Sequence, residues 1–262
     1  MSTAAAAVAA AADRLIVAAA TRIPCGPIRD LIGSTDQASA YAVQQAITAH
    51  RLAQPNPPRR TGRKIGLTSK RVQAQIGVDQ PDFGVLFSDA HYTRQVPAAT
   101  LLHPKVEAEV AFVLSRDLDG EVTPTTVREA VDYAVAAIEV VDSRIANWDI
   151  TFADTVADNA SFGAYLLGED RKTLAGGFSP VDVAMKMWVD GKLVSEGKGA
   201  DCLDDPINAV VWLANKSKEL GEPLRKGEVV LSGALGPMAA VKAGSKVEVE
   251  ITGLGNVSAE FV

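Results

Sequence analysis

From Lys246 to Thr252 the chain alternates strictly, with Val247, Val249 and Ile251 on one face and Lys246, Glu248 and Glu250 on the other. A period of two predicts a half-buried strand. Val257, Ala259 and Phe261 repeat the pattern at the C-terminus. Val106 to Leu114 alternates and then turns continuously apolar, and Glu228 to Leu231 is a short apolar run ended by Ser232-Gly233. Both predict strands. Helical spacing lies between them. Asp205-Pro206 is an N-cap residue with proline at the first helical position, and Ile207, Val210, Val211 and Ala214 form one stripe up to the stop at Gly221. A second helix is predicted over Thr125 to Ala137, on the stripe Val127, Ala130, Val131 and Ala134.

The first sixty residues read differently. Ala4 to Ala20 is alanine-rich and predicts a surface helix. Ser34-Thr35-Asp36-Gln37 has the form of a capping box, and Ala38, Tyr41, Ala42 and Gln45 continue with helical spacing until Pro55. The run from Gln54 to Arg60 holds three prolines and no periodicity, so it reads as a linker. The expected organisation is a helical N-terminal region, residues 1–60, before a mixed α+β domain over 61–262.

Composition narrows the function. The chain has 262 residues, 47% hydrophobic and 22% charged, with a net charge of −6. An acidic globular protein of this kind argues against nucleic acid or an anionic membrane as the main partner. Asp13 and Arg14 interrupt the alanine-rich segment, which predicts neither a membrane span nor a signal peptide. Cys25 and Cys202 are far apart and form no CxxC pair, so neither a disulfide scaffold nor a thiolate zinc site is expected, and a cytoplasmic location is. His50, His91 and His103 form no HExxH and no ligand pair, so carboxylates must do most of the holding of any metal. Gly233-Ala234-Leu235-Gly236 follows a strand but lacks the lysine and serine of a phosphate loop.

Four segments carry candidate chemistry. Glu107 and Glu109 sit at i and i+2 in an apolar strand and share a face. Paired carboxylates suit a hard divalent cation; an acidic outer face on an edge strand is the plainer alternative. Glu139 interrupts the apolar run Tyr133 to Val141 and must be paired, protonated or metal-bound; a salt bridge to Arg144 or another arginine would also serve. Asp142 follows it. Lys64 lies between Gly62 and Gly66 at the start of a predicted strand, where it is either a pocket lysine or a solvated loop residue. Asp79 and Asp82 lie in a turn-like run and also fit turn capping. The stretch from Asp154 to Gly163 is a polar segment that Asx turns and caps would explain.

Taken in order, KIGLTSK, GVDQPDFG, HPKVEAEV, AIEVVDSRI, DTVADNAS, LSGALGP and the C-terminal GLGNVSAEFV resemble the fumarylacetoacetate hydrolase superfamily, and within it the 2-keto-4-pentenoate hydratases. The resemblance runs from Gly62 to Val262 and is closest from Ser143 to Pro237, where SRIANWDITFADTVADNAS is highly characteristic. It implies a mixed β-sandwich roll with flanking helices. It implies Mg²⁺ or Mn²⁺ held by Glu107, Glu109 and Glu139, with Lys64 and Asp82 moving protons. Leu67, Ser161, Ser232, Gly233 and Ala234 would contact the substrate, a 2-hydroxy-dienoic acid in equilibrium with its 2-oxo form. The implied reaction adds water at C4 of the α,β-unsaturated 2-oxo acid to give a 4-hydroxy-2-oxo acid in aromatic or steroid meta-cleavage catabolism. It also implies a homo-oligomer that can associate with a downstream aldolase or a homologous decarboxylase. The homologous 4-oxalocrotonate decarboxylases share HPK-(hydrophobic)-EAE and VADNAS, so these do not discriminate; Asp82 and the LSGALGP turn resemble the hydratase form. Acylpyruvate hydrolysis usually needs a His-Glu arrangement, and no histidine here sits in a recognisable pair. An inactive metal-binding partner subunit is the alternative of another class.

Overall fold

The computed structural model describes residues 3–70, 73 and 78–262. Three helices come first: α1 (Thr3–Thr21), α2 (Arg29–Ile32) and α3 (Gln37–Leu52). The alanine-rich pattern does fold as a helix. It buries Ala11, Ala12, Leu15 and Ala18 and leaves its other faces exposed. Its length and mean hydropathy of 1.5 would also let α1 cross a membrane. In this fold Arg14, in its middle, bonds the Pro27 carbonyl at 2.6 Å and Asp30 at 2.7 Å.

The predicted capping box at Ser34 is not used. Asp36 is the N-cap of α3, and its carboxylate accepts from the Ser39 amide at 3.1 Å and the Ser39 hydroxyl at 2.8 Å. Aspartate caps as well as serine does, so adjacent candidates compete and packing decides. Starting at Gln37 turns Ala40, Tyr41, Val43, Gln44 and Thr48 inward.

Thirteen strands follow among the described residues: β1 (Arg60–Gly66), β2 (Asp82–Phe87), β3 (His91–Tyr92), β4 (Gln95–Val96), β5 (Lys105–Leu114), β6 (Val131–Val141), β7 (Phe162–Leu167), β8 (Ala184–Val189), β9 (Lys192–Lys198), β10 (Val229–Ala234), β11 (Ala239–Ala240), β12 (Lys246–Ile251) and β13 (Gly255–Phe261). The helices among them are α4 (Pro124–Ala130), α5 (Phe152–Ala157) and α6 (Pro206–Glu219). The C-terminal strands and α6 match their patterns, with Asp205 accepting from the Ile207 amide at 2.9 Å.

The helix predicted over 125–137 stops at Ala130, and β6 takes the rest. Val127, Ala130, Val131 and Ala134 fit helical spacing, but β6 pairs with β5 from Val131 to Val141. A central strand covered on both faces has no alternation to betray it, and its valines favour the sheet.

One sheet runs β2-β1-β10-β5-β6-β7-β3, with β11 added beside β5. The second runs β4-β13-β12-β8-β9. The first sheet is curled. Thr61 on β1 and Tyr165 on β7 are four strands apart, about 19 Å in a flat sheet, yet their hydroxyls lie 3.0 Å apart. Leu86, Ala111, Val135, Ala137, Phe162, Tyr165, Val229 and Leu231 fill the inside of this roll. The outside carries the larger core. There Val247, Val249, Ile251, Ala259 and Phe261 of the second sheet meet Ile138, Val140 and the helices. This is a mixed β-roll with flanking helices, as the sequence resemblance implies.

The N-terminal helices are fastened to the roll by polar groups. Gln44 donates to the carbonyls of Phe83 and Val156, both at 2.8 Å. Asp154, fully buried on α5, accepts from the amides of Ile28 at 2.9 Å and Arg29 at 3.0 Å and pairs with the Arg29 guanidinium at 2.9 Å. Asp154→Ala leaves these donors unsatisfied, and we expect a loss of about 3 kcal/mol in urea unfolding. A change under about 0.5 kcal/mol, the size of a surface substitution, would contradict this fastening.

Candidate active site

Strand pleating decides which side chains enter the roll. On β5 the residues Glu107, Glu109, Ala111 and Val113 share one face, and on β6 so do Glu139, Ala137 and Val135. Glu107 is paired directly with Glu139, and Glu109 with Ala137. On β1 Lys64 is level with Leu231 of β10 and Gly84 of β2, and Gly66 is level with Asp82. The roll interior is therefore apolar along most of its length and ionisable at one end.

There the carboxylates converge. One oxygen from each of Glu107, Glu109 and Glu139 lies within 4.8 Å of the others. Lys64 Nζ is 2.9 Å from Glu139 Oε1 and donates to the Ala160 carbonyl at 2.9 Å. Lys64, Asp82, Glu109 and Glu139 are all buried, and Glu107 is partly open. The plainer alternatives fall away one by one. Strand β5 is central rather than an edge, and Lys64 is not in a solvated loop. Asp82 opens β2 instead of capping a turn. Glu139 pairs with Lys64, while Arg144 is taken by Asp158 through its Nε and backbone amide. Asp142 is engaged elsewhere, accepting from the amides of Leu102 and His103 at 2.9 and 2.8 Å.

Burial raises the Glu107 carboxyl, and the neighbouring Glu139 raises it further, to about 7. Glu109 is pushed well above its ordinary range by burial and by Glu139 and Glu107. Burial also raises Asp82, against the pull of Lys64. For Lys64 burial acts downward, but Glu139, Asp82 and Glu107 outweigh it and hold the ammonium above its usual value. Glu109 Oε1, Glu139 Oε2 and Asp82 Oδ1 are buried without a hydrogen-bond partner. An all-oxygen donor set with orphaned carboxylate oxygens fits a hard divalent cation.

Of the other predicted residues, Gly233, Ala234 and Ser161 are linked to this cluster by contacts. Gly233 donates its amide to Glu109 Oε2 at 2.7 Å, and Ala234 is paired with Glu109 across a bulge. Thr155 Oγ1 lies 3.4 Å from both Asp82 Oδ2 and Ser161 Oγ, which links Ser161 to the site. Ser232 is fully buried, its hydroxyl unpartnered and its carbonyl accepting from Cys202 Sγ at 3.1 Å. Leu67 follows β1 half-buried, in a left-handed conformation with φ 56°.

Several participants escaped the sequence reading. The segment 154–163 is not merely a run of Asx turns and caps, because α5 occupies its first part. Asn159, Ala160 and Ser161 are then all left-handed, with φ of 56°, 51° and 53°. Asn159 braces this turn by accepting from the Val85 amide at 2.7 Å and donating to the Val85 carbonyl at 3.0 Å. That brace brings the Ala160 carbonyl to Lys64. Two strand glycines permit the approach: a Cβ on Gly84 would strike the Asn159 carbonyl, and one on Gly66 the Asp82 carboxylate. Glycine inside a strand was the available signal.

Residues 61–262 match the family described as fumarylacetoacetate (FAA) hydrolase C-terminal. The chain belongs to the fumarylacetoacetate hydrolase family. It is 51% identical over 255 residues to "2-keto-4-pentenoate hydratase 2" of Dechloromonas aromatica, with 96% of each chain covered. It is 50% identical over 254 residues to "TodF product hydratase" of Pseudomonas putida, covering 96% of this chain and 94% of that one. Among solved structures it resembles 4-oxalocrotonate decarboxylase from Pseudomonas putida G7 complexed with magnesium and adipate, with a TM-score of 0.92, 31% identity and 97% of each chain covered.

The raised carboxyl of Glu107 sets a pH dependence. The folded, metal-free chain holds this proton up to about 7, whereas an unfolded glutamate releases it near 4.3. The native state therefore binds more protons between these values, and this site's contribution to stability falls as pH rises through that window. In EDTA we expect less stability at pH 7.5 than at pH 5.5 from this group, and Mg²⁺ should remove the loss at the higher pH. Thermal unfolding of parent and Glu107→Gln checks it; equal pH slopes for the two proteins would contradict it.

Proposed function

We propose that this chain is a divalent-metal-dependent hydro-lyase that adds water to 2-hydroxypenta-2,4-dienoate or a substituted analogue, giving a 4-hydroxy-2-oxo acid in aromatic catabolism. The observation that carries the proposal is the convergence of Glu107, Glu109 and Glu139 beside Lys64, in a chain half identical to hydratases over nearly its whole length. On this reading residues 61–262 are the catalytic domain behind a helical N-terminal region of residues 1–60.

Glu107, Glu109 and Glu139 hold Mg²⁺ or Mn²⁺. The bound ion supplies Lewis-acid polarisation of the 2-oxo group, which makes C4 electrophilic. Everything else falls to the chain. Lys64, charged and held between Glu139 Oε1 and the Ala160 carbonyl, has a proton to deliver at a fixed point. Asp82 Oδ1 is free to accept one. Burial favours its neutral form and Lys64 its anion, so it can take up and release a proton beside that ammonium. Leu67, Ser161, Ser232, Gly233 and Ala234 would contact the substrate, as the family resemblance implies. The apolar packing behind the cluster keeps bulk water from the rear of the site.

A cytoplasmic location rests on the two unpaired, distant cysteines, and a homo-oligomer able to associate with a downstream aldolase or a homologous decarboxylase rests on the family resemblance. Val17 and Ile23, exposed at 58% and 68%, are apolar residues that subunit contacts would cover.

Decarboxylation is the second reading, because the decarboxylase shares the fold so closely. The higher identity to hydratases favours hydration. Purified protein with Mg²⁺ should consume the dienoate, followed by its ultraviolet absorbance, without releasing CO₂ from 4-oxalocrotonate; the reverse pair of results would overturn the assignment. Glu107→Gln with Glu109→Gln should abolish metal-dependent turnover with the fold retained, and Lys64→Met should lower kcat by about 10²-fold or more. A fully active double variant would sink the metal assignment.

A further inference from the structure

The ionised end of the roll has a charge deficit that the groups described so far do not correct. Glu107, Glu109, Glu139 and Asp82 are gathered around Lys64 there. With the carboxylates ionised, even a divalent cation leaves this cluster one charge negative. A dienoic acid substrate is itself an anion, and its carboxylate is its one charged group. Lys64 is already committed to Glu139 and the Ala160 carbonyl.

Among the described residues, Lys64 and Lys105 both favour the ionised form of Glu107. Lys105 opens β5 at i−2 from Glu107, so its side chain leaves the sheet on the same face as the carboxylates. It is half-buried, and no carboxylate lies within 4.0 Å of its ammonium among the described residues. It is held by an aromatic face instead. Lys105 Nζ stands 4.2 Å from the centre of the Trp148 ring.

Trp148 is itself fixed in place. Its indole Nε1 donates to the His103 carbonyl at 3.2 Å, and the His103 and Trp148 rings are 5.4 Å apart. The His103 amide donates to Asp142 at 2.8 Å. Asn147 and Trp148 both adopt left-handed backbone, with φ of 61° and 55°. Such conformations persist only where surrounding contacts enforce them. The result is an ammonium parked on a ring, partly withdrawn from water and beside Glu107. A ring offers a cation no hydrogen-bond acceptor, so all three Lys105 donors remain available to an incoming carboxylate.

We propose that Lys105, seated on Trp148, is the substrate-carboxylate anchor of this site. It takes the C1 carboxylate of the 2-oxo acid and so fixes which end of the ligand meets Glu107, Glu109 and Glu139. This rests on the reading of the site given under Proposed function, and the test separates the two. Oxalate, which presents the same carboxylate and adjacent oxygen, is titrated calorimetrically into Mg²⁺-loaded parent, Lys105→Met, Lys105→Arg and Trp148→Leu proteins, and Mg²⁺ itself is titrated into each metal-free form. A charge-assisted hydrogen bond contributes enough that Lys105→Met should weaken oxalate about tenfold or more. Lys105→Arg should restore most of that affinity. Trp148→Leu should fall between. Mg²⁺ should bind Lys105→Met as tightly as parent or more tightly, because a cation beside Glu107 has been removed. A merely structural role would weaken Mg²⁺ and oxalate together, and that result would overturn the proposal. So would an oxalate affinity in Lys105→Met within twofold of parent. Failure of Mg²⁺ to bind the parent protein would instead overturn the metal reading beneath it.

Discussion

Carboxylates do not gather in a dry place unless something holds them there. Glu109, Glu139 and Asp82 are all buried, Glu107 joins them, and among the described residues Lys64 is the one ammonium in direct contact. Left alone, these groups compete for protons, which is what the raised carboxyls of Glu107, Glu109 and Asp82 express. Such a cluster costs stability, and natural sequences retain that cost where function requires it. The unpartnered oxygens of Glu109 and Glu139 say where the missing positive charge belongs. The rest of the site follows from satisfying that demand.

The fold serves it by geometry. A curled sheet turns residues of six strands toward one axis, so side chains distant in sequence meet without a dedicated loop. Apolar residues fill most of that axis, and ionisable ones are confined to one end. Small residues matter as much as charged ones there. Gly66 and Gly84 leave the space into which Asp82 and the Asn159–Ser161 turn fit. The helices contribute from outside, through Gln44 and Asp154, by fixing α5 and the polar turn that follows it.

Much of this was legible in the chain and some of it was not, for identifiable reasons. The alternation at 246–252 and the proline-started helix at 206 declare themselves because one face is wet and the other dry. Strand β6 does not, because it is covered on both faces and its valines and alanines satisfy helical spacing as readily. The pair Glu107 and Glu109 announced a shared face, and Glu139 announced a buried charge. Their meeting depends on the β5–β6 register, which no local pattern encodes. The Ala160 carbonyl and the left-handed turn behind it were invisible, since a backbone acceptor leaves no trace in residue type. Asp36 took the cap expected of Ser34 because neighbouring residues of equal capping ability are separated only by packing.

A cation shared by these carboxylates would show itself in diffraction from crystals soaked in Mn²⁺, through the anomalous signal of the ion. A single strong peak enclosed by the carboxylate oxygens of Glu107, Glu109 and Glu139 is expected. No peak among these three residues, or an ion held elsewhere on the chain at full occupancy, would contradict it.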